Sequence, residues 1–462
     1  MSLNSFSFIF FLPFVVGVNF ILPRKYRYIW LCAASIVFYL SNDVRFAAGL
    51  AFCAVTTYAS GLLLEKAEGT QRKIITLLCI WGNVAALLLF RHSFLHSLFV
   101  PIGMSFYALQ TMGYVIDVYR GKIKAERNPI KYTLFVAFFP TVISGPIQRG
   151  DCLLRQIGEG REFDYEKARS GLYYLLRGYL LKLVMANQLG VMVDYAYADY
   201  ETLPGAALLW ATFLYAIQLY CDFAGYSALA VGAAKILGFD IEDNFAQPYF
   251  AASIKDFWRR WHISLSSWLR DYVYISLGGN RKGKWRKHIN LMLTFLVSGL
   301  WHGSGVNFLV WGAMHGIYQI AESCIPERSA EKRKGVYRVF RVMVTFILVD
   351  FAWLFFRAES MEQALAILYR MVFCFQLKEM TYYGSYLLGG SKWNLLLMVM
   401  GIALVFLVDW LHEKNIVLER VTVRRVPVVL RWTAYAALTL LILLVVVRNY
   451  GQAASTFIYA RF

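Results

Sequence analysis

Two histidines stand in one apolar stretch, "SGLWHGSGVNFLVWGAMHG" at residues 298–316, and each is followed by glycine. Hydrocarbon penalises a polar side chain that lacks a partner, so an ionisable group in such a stretch is a functional candidate by default. A neutral imidazole in an enclosed pocket can act as a general base, because its ordinary pKa lies near working pH. His315 suits that role: Gly312, Ala313 and Gly316 would let another backbone or a substrate approach its ring closely. His302, inside "WHGSG", fits a structural duty, bonding carbonyls that a helix break sets free. The same duty stays open for His315. Metal or haem ligation is the rival chemistry. Thirteen residues along one helix would hold the two rings about 19 Å apart, too far to share an iron. His92, His96, His288 and His412 supply no second pair.

A third histidine lies in "IKDFWRRWHISLSSWLRDYVYISLGGNRKGKWRKH", residues 254–288. This stretch is too charged to span a membrane, yet Phe257, Trp258, Trp261, Leu265 and Trp268 recur at helical spacing. Tryptophan beside arginine is the composition of a helix lying at headgroup level. His262 is therefore either an interfacial hydrogen-bonder or a further functional imidazole. The "LGGNRKGKWRK" that follows brings flexible glycines and the cations Arg281, Lys282, Lys284, Arg286 and Lys287. Charge and exposed backbone N–H groups could bind a phosphorylated ligand there. The alternative is a loop that meets lipid phosphates only.

The elements that position these residues must cross a membrane. Of 462 residues, 59% are hydrophobic, against about 45–50% in soluble domains. Runs such as 6–22, 75–90, 203–220, 394–411 and 432–447 approach the about 20 residues a bilayer needs. The pattern gives roughly ten to thirteen crossings or partial crossings. Alternating strand patterns are absent, so the class is an all-α polytopic membrane protein. The net charge of +18 does not point to nucleic acid, because the cations cluster in short loops between apolar runs. Such loops read as cytoplasmic. The first apolar run has neither a basic region before it nor a small-residue cleavage site after it, unlike a cleaved signal. Seven cysteines lie scattered without CxxC spacing, which indicates neither a disulfide framework nor a zinc site.

Orientation follows from the charges. Arg24, Lys25 and Arg27 place the N-terminus outside. Residues 281–288 and 326–341 are both basic, so the apolar residues 289–325 between them begin and end in the cytoplasm. One straight helix of about 36 residues would cover about 54 Å, so a re-entrant hairpin is expected, broken at "HGSG", 302–305. Alternating crossings then leave the tail 449–462, "NYGQAASTFIYARF", outside. No separate soluble domain or repeat interrupts residues 1–462; the polar stretch 149–170 reads as a loop with an interfacial helix.

"FWRRWHISLSSWLRDYVYISLGGNRKG" and "SGLWHGSGVNFLVWGAMHG" closely resemble the membrane-bound O-acyltransferase (MBOAT) family, in particular its bacterial alginate O-acetyltransferase branch. "PIGMSFYALQTMGYVIDVYRGKI", "FVAFFPTVISGPIQRG" and "QLYCDFAGYSALAVGAAKILGF" extend the resemblance along most of the chain. It implies a funnel-shaped helical bundle around a central tunnel with His315 at the catalytic position, and His302 and His262 lining or supporting the tunnel. It also implies a cytoplasmic acyl-CoA, acetyl-CoA in this branch, as donor substrate beside Arg281, Lys282 and Lys284; no bound cofactor or metal is implied. The final "FIYARF" resembles an acyl-transfer motif in which Tyr459 accepts the acyl group and Phe457 and Phe462 anchor the tail. A phenol of pKa about 10 needs a base to become nucleophilic, and the alternative for the tail is an aromatic belt.

The resemblance further implies a bacterial cytoplasmic membrane, an extracytoplasmic partner of SGNH-hydrolase fold and a polysaccharide acceptor. D-alanylation of teichoic acid from a carrier protein, peptidoglycan O-acetylation and a histidine-gated transporter are the alternatives. Ala228 stands where the branch often carries a further acidic residue, and "GPIQRG" differs mildly from the usual loop. Both departures weaken any choice of polysaccharide.

Overall fold

The computed structural model describes residues 1–92, 101–325, 335–378 and 392–448, and among them every regular element is a helix. A helix satisfies its backbone polar groups within one segment, which hydrocarbon demands. Six helices are long and apolar enough to cross a membrane: Val44–Lys66, Gly69–Phe90, Gly205–Ile236, Val336–Arg357, Leu395–Glu413 and Val428–Val445. Other apolar runs form shorter helices, such as Phe6–Ile21 and Met104–Tyr119. The run at 138–149 is buried but irregular, interrupted by Pro140, Gly145 and Pro146. The polar stretch 149–170 carries two helices, Gly150–Glu159 and the start of Tyr165–Tyr179.

The chain divides into two compact units. One comprises Met1–Gly178 and Tyr226–Asp243. Its helix Ala47–Lys66 packs on Met104–Tyr119, where Gly61 leaves room for the Tyr114 ring. Gly103, at φ +78°, turns the chain into that second helix; a Cβ there would strike the backbone of Val142 and Ile143. Gly171 and Gly232 face each other so closely that a Cβ on either would lie 2.7 Å from the other's carbonyl oxygen. Inside the unit, the Tyr132 and Thr57 hydroxyls are 2.6 Å apart and both are buried.

The other unit, Tyr179–Gly225 with the residues from Asn244 onward, holds His262, His302 and His315. The wide turns of Leu180–Ala186 carry Lys182 to a buried ion pair with Asp222. Tyr220 donates to Asp409 at 2.7 Å, and Tyr249 donates to the Ala216 carbonyl at 2.6 Å. Residues 254–268 form two short helices, Ile254–Arg260 and Ile263–Trp268. Ser253 caps the first by accepting the Asp256 N–H at 3.0 Å. Wide helical turns continue over Leu269–Tyr274, and irregular chain then runs only to Lys282, since the next helix begins at Gly283, so Lys284, Arg286 and Lys287 sit on its first turns rather than in a loop.

Candidate active site

Two helical arms, Gly283–His302 and Val306–Cys324, are separated by Gly303, Ser304 and Gly305. The arms pack closely because glycines stand at their crossing. A Cβ on Gly299 would collide with the Phe308 carbonyl oxygen, and one on Gly312 with that of Phe295. Gly316 faces the Met292 side chain. The small residues around His315 thus admit the neighbouring arm. Just past the break, the Asn307 amide donates to the carbonyls of Phe355 and Ala358 at 3.1 and 2.8 Å, tying the second arm to the end of Val336–Arg357.

His315 is completely buried. Its ring lies nearly parallel to Phe257, at 6.3 Å and 6°, and to Phe295, at 6.1 Å and 23°. Trp258 and Trp311 meet it edge-on at 5.0 and 5.1 Å between centroids. Tyr318 and Trp353 complete the enclosure at 5.9 and 6.2 Å. Among the described residues one polar contact reaches the ring: the Trp258 indole N–H donates to Nδ1 at 3.2 Å. Nε2 has no partner among the described residues. The aromatic walls enclose the ring and leave one of its nitrogens buried.

The other two histidines join through tryptophans. His302, the last residue of the first arm, packs on Trp301, Trp311 and Phe356 at 4.7, 5.0 and 5.2 Å. Because Trp311 touches both His302 and His315, the two rings are closer than the about 19 Å of one straight helix. The straight-helix distance is therefore replaced by a shorter one, and no group of three or more His, Cys, Asp or Glu that could hold a metal occurs among the described residues. His262 packs on Trp301 at 6.1 Å and on Phe223 at 4.6 Å. Its backbone sits at φ +45°, a strained setting for a non-glycine residue. Asn244 holds it there: its carbonyl accepts the Ile263 N–H at 3.0 Å, and its Oδ1 accepts the Ser264 N–H at 3.0 Å. The same Oδ1 lies 3.3 Å from His262 Nδ1. Burial lowers the His262 imidazole to about 3; the residue lies outside the six candidate spans.

A cleft of about 1840 Å³ opens beside these residues, lined by Trp258, Phe295 and Tyr318 from the His315 enclosure. Lys255, Arg259, Arg270, Lys287, Arg338 and Arg341 line it too, with Asp256 and Glu322 as the counter-charges. Of the cations the sequence suggested, Lys287 alone is in this set. Arg281, Lys282 and Lys284 are exposed and none of them lines the cleft. The paired arginines of "FWRRWH" also divide their work. Arg259 faces the cleft, whereas Arg260 bonds Asp256 at 3.0 Å and Glu413 at 2.6 Å, and Glu413 also binds Arg338. Sequence reasoning missed Trp258 as a partner of His315, and Asn244 altogether. Tyr459, with the tail 449–462, lies outside the described residues.

Residues 123–361 match the model of the membrane-bound O-acyltransferase family. A probable alginate O-acetylase of Pseudomonas putida is 35% identical, over 100% of this chain and 99% of its own. A peptidoglycan O-acetyltransferase of Helicobacter pylori is 31% identical over 74% of this chain and 73% of its own. A teichoic acid D-alanyltransferase of Bacillus subtilis is 28% identical over 57% of this chain and 70% of its own.

Proposed function

The chain belongs to the membrane-bound O-acyltransferase family, and on that premise we propose that it moves an acetyl group from cytoplasmic acetyl-CoA across the bacterial plasma membrane for O-acetylation of a polysaccharide. The observation that carries this reading is the cleft, which joins six cations to the aromatic enclosure of His315. A coenzyme A thioester has those two parts, an anionic phosphate end and a reactive acyl end. The cations suit the phosphates. The enclosure suits the thioester, since a dry pocket strengthens every polar contact made to the reacting carbonyl.

In this reading the donor's acyl carbon comes to His315, and an acceptor oxygen displaces the sulfur. Tyr459 enters as first acceptor from the sequence alone, its phenol taking the acetyl group before handing it to an SGNH-fold partner outside the membrane. The enclosure favours a small acyl group, because aromatic rings stand within about 6 Å of the imidazole on several sides.

Purified protein with radiolabelled acetyl-CoA tests the proposal, comparing wild type with His315→Ala and Tyr459→Phe. Thioester turnover in wild type that vanishes in His315→Ala supports the transferase. Label held on the wild-type chain and missing from Tyr459→Phe supports the tail as relay. No turnover of acetyl-CoA by wild type would remove the donor assignment and favour an acyl carrier protein as the source.

A further inference from the structure

We infer that Glu322 is a positioning residue with two opposed effects: it fixes the short helix that walls His315, and it occupies a cleft arginine that the donor must win from it. The second effect rests on the acyltransferase reading above. Glu322 stands two turns beyond His315 on the arm Val306–Cys324, on the same face and about 10 Å along the axis. Its Oε2 accepts the Lys255 N–H at 3.1 Å. That N–H lies in the first turn of Ile254–Arg260, where no carbonyl of the same helix can reach it. Ser253 takes the Asp256 N–H and leaves that of Lys255 to the distant carboxylate. Phe257 and Trp258 follow within one turn and close on the imidazole. Glu322 therefore ties the helix that walls His315 to the arm that bears it.

The other oxygen of Glu322 lies 3.4 Å from the Arg341 guanidinium, which lines the cleft. The far end of the short helix is built alike. Arg260, its last residue, binds Glu413 at 2.6 Å, and Glu413 also binds Arg338. Arg338 and Arg341 stand one turn apart on Val336–Arg357, and both line the cleft. Each end of one seven-residue helix is thus held by a glutamate that also occupies a cleft arginine.

A phosphate entering the cleft meets an arginine already paired. The Glu322–Arg341 contact is long, and its side chains are 24% and 35% accessible, so it is weak. A phosphate offers the guanidinium two oxygens in a matching fork and takes Arg341, while Glu322 keeps the Lys255 N–H. The carboxylate left behind repels the arriving anion. Its charge weakens donor binding, whereas its hydrogen bond keeps Phe257 and Trp258 against the imidazole that serves the acceptor phenol as base. The two effects belong to different properties of one side chain. A glutamine keeps the acceptor oxygen and lacks the charge; an alanine lacks both.

The test compares wild type with Glu322→Gln and Glu322→Ala, purified in a phosphate-free detergent. Hydrogen exchange read by mass spectrometry needs no donor. Peptides covering 254–260 should exchange about tenfold faster in Glu322→Ala and close to wild type in Glu322→Gln. Equilibrium binding of coenzyme A should tighten about two- to fivefold in both variants, more at low salt than at high. KM for acetyl-CoA should fall with it, and kcat should drop about tenfold in Glu322→Ala and much less in Glu322→Gln. A merely structural glutamate would lower kcat without tightening coenzyme A. If Glu322→Ala does not fold, Glu322→Gln carries the charge test alone. Unchanged or weaker coenzyme A binding in Glu322→Gln overturns the charge effect, and wild-type exchange in Glu322→Ala overturns the positioning. The expected exchange in a protein that neither binds coenzyme A nor turns over acetyl-CoA would sink the donor reading and leave the positioning standing.

Discussion

Replacing Gly312 with alanine would drive a methyl group into the backbone of the facing arm. An ideal Cβ at this position overlaps the Phe295 carbonyl oxygen and stands 3.2 Å from its carbonyl carbon. Comfortable contacts between such atoms lie near 3.5 Å, so the arms must part by nearly 1 Å. The obstacle is backbone and cannot swing aside. Overpacking of this kind costs about 1–3 kcal/mol. The larger effect is geometric: Phe295 lies against His315 on one arm while His315 belongs to the other, and a misplacement of about 1 Å at a reacting group can lower the rate about 10²-fold. Gly316→Ala is the matched control, because its Cβ meets the Met292 thioether at 2.8 Å, the end of a flexible side chain. Initial rates of acetyl transfer and thermal midpoints in detergent should show Gly312→Ala badly impaired and Gly316→Ala close to wild type. Equal, near-wild-type behaviour of the two variants would refute the close-crossing argument.

Arg259→Gln should raise KM for acetyl-CoA several-fold, more at low salt than at high, while Lys284→Gln leaves it unchanged; steady-state kinetics at two ionic strengths checks this. Lys182→Met removes the ion-pair partner of buried Asp222 and should cost about 3–5 kcal/mol, seen as a lowered thermal midpoint, with Lys182→Met/Asp222→Asn less damaging than the single change. Because burial depresses the folded His262 pKa, its contribution to stability is complete above the unfolded value of about 6.5 and is lost as pH falls. Between pH 6.5 and 5 that loss approaches about 1.4 kcal/mol per unit, and His262→Gln should flatten that part of a stability-versus-pH curve.

Much of this architecture was legible from the residues. Apolar runs and the absence of alternation point to helices, and Gly303, Ser304 and Gly305 mark where the arms part. What stayed hidden depends on contacts between distant segments. A tryptophan near arginines looks like a headgroup anchor, yet Trp258 turns inward to a histidine 57 residues away. The cations at 281–284 are conspicuous in sequence, but the cleft gathers its own from four separate segments, including Arg338 and Arg341. Gly312 and Gly316 look like space for a substrate; the partner arm occupies that space. Asn244 carries no signal at all, since its hold on His262 arises from a loop conformation that periodicity does not reveal. The number of crossings was blurred because apolar composition marks both lipid-facing helices and buried irregular chain such as 138–149.

The span Leu395–Glu413 has only 11% of its most apolar window buried among the described residues, a surface suited to lipid. Nineteen residues extend about 28 Å, close to the hydrocarbon thickness of a bilayer. A membrane of different thickness makes such a helix tilt or slide. Yet this helix is moored at two inner points, Asp409 to Tyr220 and Glu413 to Arg260. Arg260 ends the short helix that carries Phe257 and Trp258 to His315. Tilting the span therefore pulls on the wall of the enclosure, and the bilayer becomes a mechanical input to the rate. The acyl-chain length of the host lipid, altered by growth temperature or by reconstitution, would tune this enzyme without touching any residue of its site.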